Sequence, residues 1–391
     1  MKKIFFLAAL FCCSFYSLRA QTYQIGHTTI TFVDASRNNR SIATEIYYPA
    51  DLAGENVPIS TLNSIQFPSL VFGHGFVMTW DAYQNFWNAL VPNGYIMAFP
   101  KTEGSFSPSH LEYAKDLAFV IDQMNFLGTQ SSSIFYNRVS AMNAVMGHSM
   151  GGGASFLAVP INPNITALVN FASAETTPSA ITAATSITVP ALLFAGANDC
   201  VTPPSTNQLS MYNGLLSSCK TYISIIGASH CQMANNNALC SFGESTCSPA
   251  PTITRSAQHA ILFNYVLPWL DFQLKGVCSQ GATFDSQIIS DTAITYQKNC
   301  IQCNVLQNND SAFQASEIRV FPNPAKEMIT VKGLSEKEYV IIITDSTSKE
   351  IYQQKFTENC TIDISRFASG VYLYTVSDLF DKMTKGKFIK K

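Results

Sequence analysis

Between residues 22 and 275 the chain alternates two patterns, short apolar runs and stretches whose apolar residues recur every three or four positions. The apolar runs fall at 43–48, 69–72, 96–99, 139–146, 167–171, 191–195 and 222–226, and their length and composition predict strands buried on both faces. The segment 111–127 places Leu111, Ala114, Lys115, Ala118, Ile121, Asp122 and Asn125 at helical steps, with a second apolar row through Leu117, Val120 and Met124. Alternation of this kind predicts an α/β sheet with helices laid on its faces. From 279 to 315 the period disappears under Gln, Asn, Ser, Asp and Thr, which predicts a linker. Short strand-like runs then follow at 318–321, 328–331, 339–344, 351–356 and 371–376, predicting a small all-β sandwich over 316–391.

Composition adds a compartment. The first twenty residues read as an export signal, with Lys2 and Lys3, an apolar run beginning at Ile4, and Leu18-Arg19-Ala20 before Gln21. The run is too short to span a bilayer, and no later segment reaches about eighteen unbroken apolar residues, so no transmembrane segment is expected in the mature protein. A formal net charge of -2 excludes nucleic acid and anionic membrane surfaces as expected partners, because both attract through clustered Lys and Arg. Residues 311–391 hold twelve of the 24 basic residues against ten acidic ones, so the tail is mildly basic while the rest of the chain is acidic.

Of eleven cysteines, Cys12 and Cys13 belong to the leader, and export makes disulfides available to the others. Six of these lie between Cys200 and Cys278, which predicts a stapled region whose pairing is not readable. Cys300-Ile-Gln-Cys303 fits a redox pair or half a zinc site, but no second Cys or His pair lies nearby; a linker disulfide or two unrelated bonds are the other readings. No metal site is expected.

Gly147-His148-Ser149-Met150-Gly151 fits G-x-S-x-G, with an apolar run before it and a helix-like stretch after it. A serine is a poor nucleophile unless a tight turn lifts its hydroxyl beside a base, and small flanking residues leave room for that turn. The base comes from six histidines. His27 precedes the expected core strands, His110 opens the covering helix, His148 is inside the elbow and His259 is on a C-terminal helix. His230, in the loop after the last strand, is the expected base, and Asp199, in the loop after 191–195, the expected acid; together they give the chain order Ser, acid, His. Glu175 is the rival acid. The oxyanion requires two N–H donors, expected from Met150, which follows the serine, and from Phe76 in Gly73-His74-Gly75-Phe76.

These residues resemble the α/β-hydrolase superfamily, and His148 through Gly153, with Val189-Pro190-Ala191 and Asp199, are similar to cutinase-like polyester hydrolases and dienelactone-hydrolase relatives. The resemblance covers roughly residues 40–275. It implies an α/β-hydrolase domain over 21–278, a serine esterase acting on a small-molecule or polymeric ester, and no cofactor. Asn170 through Glu175 carries no Trp where the polyester hydrolases place a cleft wall; Phe76 and Trp80 are the aromatic residues expected there instead. The tail, with Val320-Phe321-Pro322-Asn323-Pro324-Ala325, Gly370-Val371-Tyr372 and a basic end, resembles a type IX secretion sorting domain. It implies the type IX secretion machinery as a partner and a location outside the outer membrane or on the cell surface. A carbohydrate-binding sandwich is the competing reading of the tail. For the whole chain, an amidase or peptidase with the same triad and a non-catalytic binding protein remain open. A disulfide joining Cys200 to Cys231, the residues that follow the acid and the base, would tie both loops together, and some disulfide among Cys200, Cys219, Cys231, Cys240 and Cys247 is expected to fix this half of the site.

Overall fold

The computed structural model describes residues 23–62, 65–300, 319–332, 338–345, 349–378 and 383–391. The export leader expected over 1–20, Cys303 and residues 301–318 lie outside the described residues. The chain divides into two compact units, Met1–Asn304 and Val305–Lys391.

The first unit is built on a ten-stranded sheet. Its strands are β1 (Gln24–Asp34), β2 (Arg40–Ala50), β3 (Gly54–Glu55), β4 (Phe67–Gly73), β5 (Ile96–Pro100), β6 (Val139–His148), β7 (Leu168–Phe171), β8 (Ala191–Gly196), β9 (Cys219–Ile225) and β10 (Ile294–Cys300). They lie in the order β10-β9-β8-β7-β6-β4-β5-β2-β1-β3. From β5 through β4, β6, β7, β8 and β9 all pairings are parallel, whereas β2 joins β5, β1 joins β2 and β10 joins β9 antiparallel. Every residue of β4, β5, β7 and β8 is buried, as continuous apolar strands covered on both faces must be.

The covering helices are α1 (Gln84–Leu90), α2 (His110–Leu127), α3 (Met150–Ile161), α4 (Ala180–Ala184), α5 (Gln208–Gly214), α6 (Ala238–Glu244), α7 (Arg255–Lys275) and α8 (Cys278–Ser290). The α2 and α3 side chains Leu117, Ile121, Ala154 and Phe156 share one apolar cluster with Val71 and Val145. On the opposite face Phe86 of α1, Trp269 of α7 and Phe284 of α8 pack with Phe72, Met146 and Phe194. The strand neighbours change direction between β4 and β6: β5, which follows β4 in the chain, lies on one side of it and β6 on the other. The loops leaving the carboxyl ends of β4 and β6 therefore lie at a topological switch point, the position at which ligands bind in open α/β sheets.

Two features depart from the expected layout. The stretch 279–315 begins not as a linker but with α8 and β10. Gly281, Phe284 and Ile288 give α8 one narrow buried stripe among polar residues, and β10 is an edge strand that buries Ile294 and is held by pairing from Ile294↔Ile225 to Cys300↔Cys219. A further strand, β1, precedes the first predicted one and carries His27.

The second unit contains β11 (Arg319–Phe321), β12 (Met328–Lys332), β13 (Glu338–Thr344), β14 (Glu350–Thr357), β15 (Asn359–Asp363), β16 (Gly370–Asp378) and β17 (Met383–Lys390). Its two sheets run β11-β12-β15 and β14-β13-β16-β17 and enclose a core that includes Ile329, Val331, Ile341, Ile343, Ile362 and Phe388. This is the small β domain expected of the tail.

Candidate active site

β6 ends at His148 and α3 begins at Met150, leaving Ser149 alone on the turn at φ 55° and ψ -120°. A non-glycine residue rarely adopts a positive φ, and here the strain is held from three sides. The Ser149 N–H donates to the Phe171 carbonyl at 3.1 Å, and the Ser149 carbonyl accepts from Gly153 and Ala174 at 3.0 and 2.9 Å. The turn presses onto the end of β4 so closely that a Cβ on Gly151 would stand 2.2 Å from the Gly73 carbonyl, which is why glycine occupies that position.

Three of the side chains expected to act together are in contact. His230, after β9, brings Nε2 to 2.9 Å from Ser149 Oγ, and its Nδ1 stands 2.8 Å from Asp199 Oδ2 in the loop after β8. All three are buried, with Ser149 at 9%, Asp199 at 4% and His230 at 2% exposure, so each charge that develops there has protein dipoles around it in place of water. The Asp199 carboxylate accepts further hydrogen bonds from the Val201 and Thr202 N–H groups on Oδ1 and from the Thr202 hydroxyl on Oδ2. The rival acid, Glu175, instead accepts from the Ile181 N–H at 3.0 Å, ahead of α4.

Met150 occupies the first position of α3, where no intrahelical acceptor exists for its N–H. On the β4 side, the His74 N–H donates to Tyr113 Oη and the Gly75 N–H to Tyr83 Oη, each at 2.7 Å. Among the described residues no protein group accepts from the N–H of Met150 or Phe76. The pairing Gly73↔Gly147 sets the ends of β4 and β6 side by side, so the loop that carries Phe76 and the turn that leads to Met150 leave from adjacent strands.

His148 turns away from the serine. It is fully buried, and desolvation, reinforced by the neighbouring His230 ring, holds its imidazole well below the usual histidine range. Desolvation likewise lowers His74, although its ring nitrogens face the Gly75 and Thr102 carbonyls at 2.9 Å.

The expected aromatic contacts divide. Phe76 is 46% exposed, and its ring meets the exposed Phe106 edge-on at 6.3 Å. Trp80 instead stacks on His27 and meets Tyr47 and Trp87 at a tilt, an aromatic cluster over β1, β2 and α1, toward the sheet edge away from β6.

Cys200 and Cys231 are not bonded to each other. Cys200 pairs with Cys247 and Cys231 with Cys240, so the acid loop and the base loop are each tied to the segment that carries α6. Cys219 pairs with Cys300, so Cys300 is no redox partner of Cys303. Thr202 and Tyr83, both in direct contact with this site's polar network, escaped the sequence reading; Asp-x-x-Thr after a strand was the one local signal for Thr202.

Fold and site together define an α/β-hydrolase. Residues 17–246 match the PET hydrolase-like family model, and the chain belongs to that family. Residues 319–391 match the secretion system C-terminal sorting domain, which marks the chain as a type IX secreted protein. Among curated proteins it is 34% identical over 109 residues to Cutinase 1 of Thermobifida cellulosilytica, covering 27% of this chain and 40% of that protein. A match to the Cutinase of Thermobifida fusca (strain YX) is also 34% identical over 109 residues and covers 35% of the relative. The chain thus matches well under half the length of these cutinases.

Proposed function

We propose that this chain is a secreted serine hydrolase of carboxylic esters, polyesters included, working through an acyl-enzyme. Ser149 Oγ attacks the ester carbonyl carbon while His230 Nε2 takes its proton. The Met150 and Phe76 N–H groups hold the oxyanion of the tetrahedral intermediate. Collapse expels the alcohol, which receives the proton from His230; water then attacks the acyl group with His230 again as base, releasing the acid. Asp199 keeps the His230 proton on Nδ1 and stabilises the imidazolium.

The observation that carries this reading is the unbroken line Asp199–His230–Ser149, at 2.8 and 2.9 Å. Membership of the PET hydrolase-like family and the exposed Phe76 and Phe106 rings support a polymer with apolar repeats as substrate. Export fits the same substrate, because a polymer too large to enter the cell must be cut outside it.

The test is hydrolysis of p-nitrophenyl esters of graded chain length and of a polyester film. Ser149→Ala is expected to lower kcat by at least about 10³-fold, and short acyl chains to be preferred. A Ser149→Ala variant as active as the wild type would end the assignment of the nucleophile.

A further inference from the structure

Tyr83 is fully buried behind the Gly75–Phe76 turn, its hydroxyl 2.7 Å from the Gly75 nitrogen and 3.0 Å from His148 Nδ1. On its other side, His148 Nε2 stands 3.2 Å from the His230 carbonyl oxygen. The directions of these bonds follow by elimination. A carbonyl only accepts, so His148 Nε2 carries a proton. Burial keeps the ring neutral, so Nδ1 is a bare acceptor. The Tyr83 O–H therefore donates to Nδ1, and the same oxygen accepts the Gly75 N–H; the Met78 sulfur, 3.3 Å from that oxygen, is left as a packing contact. The site leaves no slack around this arrangement. A Cβ on Gly75 would stand 2.8 Å from Met78 Sδ, 3.2 Å from the Tyr83 oxygen and 3.3 Å from His148 Nδ1.

One directed line thus joins the loop of one expected oxyanion donor to the backbone of the expected base. It runs from Gly75 N–H to Tyr83, from Tyr83 O–H to His148, and from His148 Nε2–H to the carbonyl of His230. We propose that Tyr83 and His148 are positioning residues, which hold the Phe76 N–H and the His230 imidazole in fixed register across the serine turn. The inference rests on the serine-hydrolase reading above. Neither residue touches substrate. The neutral state of His148 matters as well, because its ring centre is 4.7 Å from that of His230, and a second cation there would oppose the imidazolium formed in each half-reaction.

A misplacement near 1 Å costs on the order of 10²-fold in rate, and removing the Tyr83 hydroxyl frees both loops by less than that. Tyr83→Phe is therefore expected to lower kcat on p-nitrophenyl butyrate by about 10-fold, with KM within about 2-fold of the wild type. His148→Leu interrupts the same line, so the double variant is expected to be no slower than the slower single variant, the non-additivity of residues that act as a unit. An unchanged kcat in Tyr83→Phe, a rise confined to KM, or fold-losses that multiply in the double variant would each overturn the proposal. If His148→Leu does not fold, the kcat and KM of Tyr83→Phe decide alone. Labelling of Ser149 by a fluorophosphonate separates the two levels. A wild type labelled at Ser149 whose Tyr83→Phe variant keeps full kcat sinks the positioning line alone. A wild type that is not labelled sinks the serine-hydrolase reading and this inference with it.

Discussion

At the scale of residues, the Thr202 hydroxyl meets four groups at once. It donates to Asp199 Oδ2 at 2.8 Å, accepts from Gln208 Nε2 at 3.0 Å, and stands 3.1 Å from both His230 Nδ1 and the Ala172 carbonyl oxygen. Thr202→Val keeps the shape and removes all four contacts, while the backbone bonds to Asp199 Oδ1 persist. The acid stays in place but less firmly aimed, so kcat/KM is expected to fall about 10-fold, a loss of about 1.4 kcal/mol, with little change in melting temperature; steady-state kinetics beside thermal melts check both. Buried His148 makes a different statement, about pH. Desolvation holds it neutral in the fold, whereas the unfolded chain takes up a proton near the ordinary value of 6.5. Below 6.5 the unfolded state binds the extra proton, so stability is complete above that pH and declines as pH falls through the window beneath it. Buried His74 acts in the same direction. Melting temperature is accordingly expected to drop from pH 7 to pH 5, with a shallower drop in His148→Leu. Of these residues the sequence exposed only those with a local signature. Ser149 had its pentapeptide, and Asp199 and His230 had strand ends in the required order; Thr202 had only its place three residues after the acid, and Tyr83 matters only because the sheet brings distant loops to it.

At the scale of elements, the strands that were legible are those whose apolar runs need no partner to be recognised, such as β4 and β8. β1 was not, because Gln24–Asp34 alternates buried positions with Thr and His and reads as a strand only against β2. α8 and β10 were hidden by their polar composition, since so few of their side chains reach the core. Disulfide pairing was illegible for the same reason: Cys219 and Cys300 meet only because β10 lies in register on β9. Two of the bonds among the described residues have different roles. Cys219–Cys300 closes a separation of 81 residues, and in the chain-entropy model its loss costs ~4.5 kcal/mol. Cys231–Cys240 closes nine, for ~2.6 kcal/mol, but lies beside His230. Replacing Cys219 and Cys300 by Ser is therefore expected to lower the melting temperature most and kcat little. Replacing Cys231 and Cys240 by Ser is expected to lower kcat more than it lowers the melting temperature. Paired melts and rates on the two variants test the division, and a reversed order would refute it.

At the scale of the whole molecule, the two units were separable in the sequence because they bury apolar surface by different periods, one by alternating strands and helices and the other by short strands alone. What the sequence misplaced was the end of the first unit, which runs on through α8 and β10. Each unit has a core of its own, with Ile341 fully buried in the second beside Ile329 and Phe388. Chemistry and delivery should therefore fail independently. Ile341→Ala opens a cavity at a cost of about 2–5 kcal/mol, a large fraction of what a domain this small has in total, about 0.05–0.15 kcal/mol per residue. The sorting unit is then expected to melt earlier and the amount of protein outside the cell to fall, while the purified full chain keeps the wild-type kcat/KM on p-nitrophenyl butyrate. Loss of turnover in that variant, with export intact, would mean that the second unit serves the reaction itself, and the separation of delivery from chemistry would have to be given up.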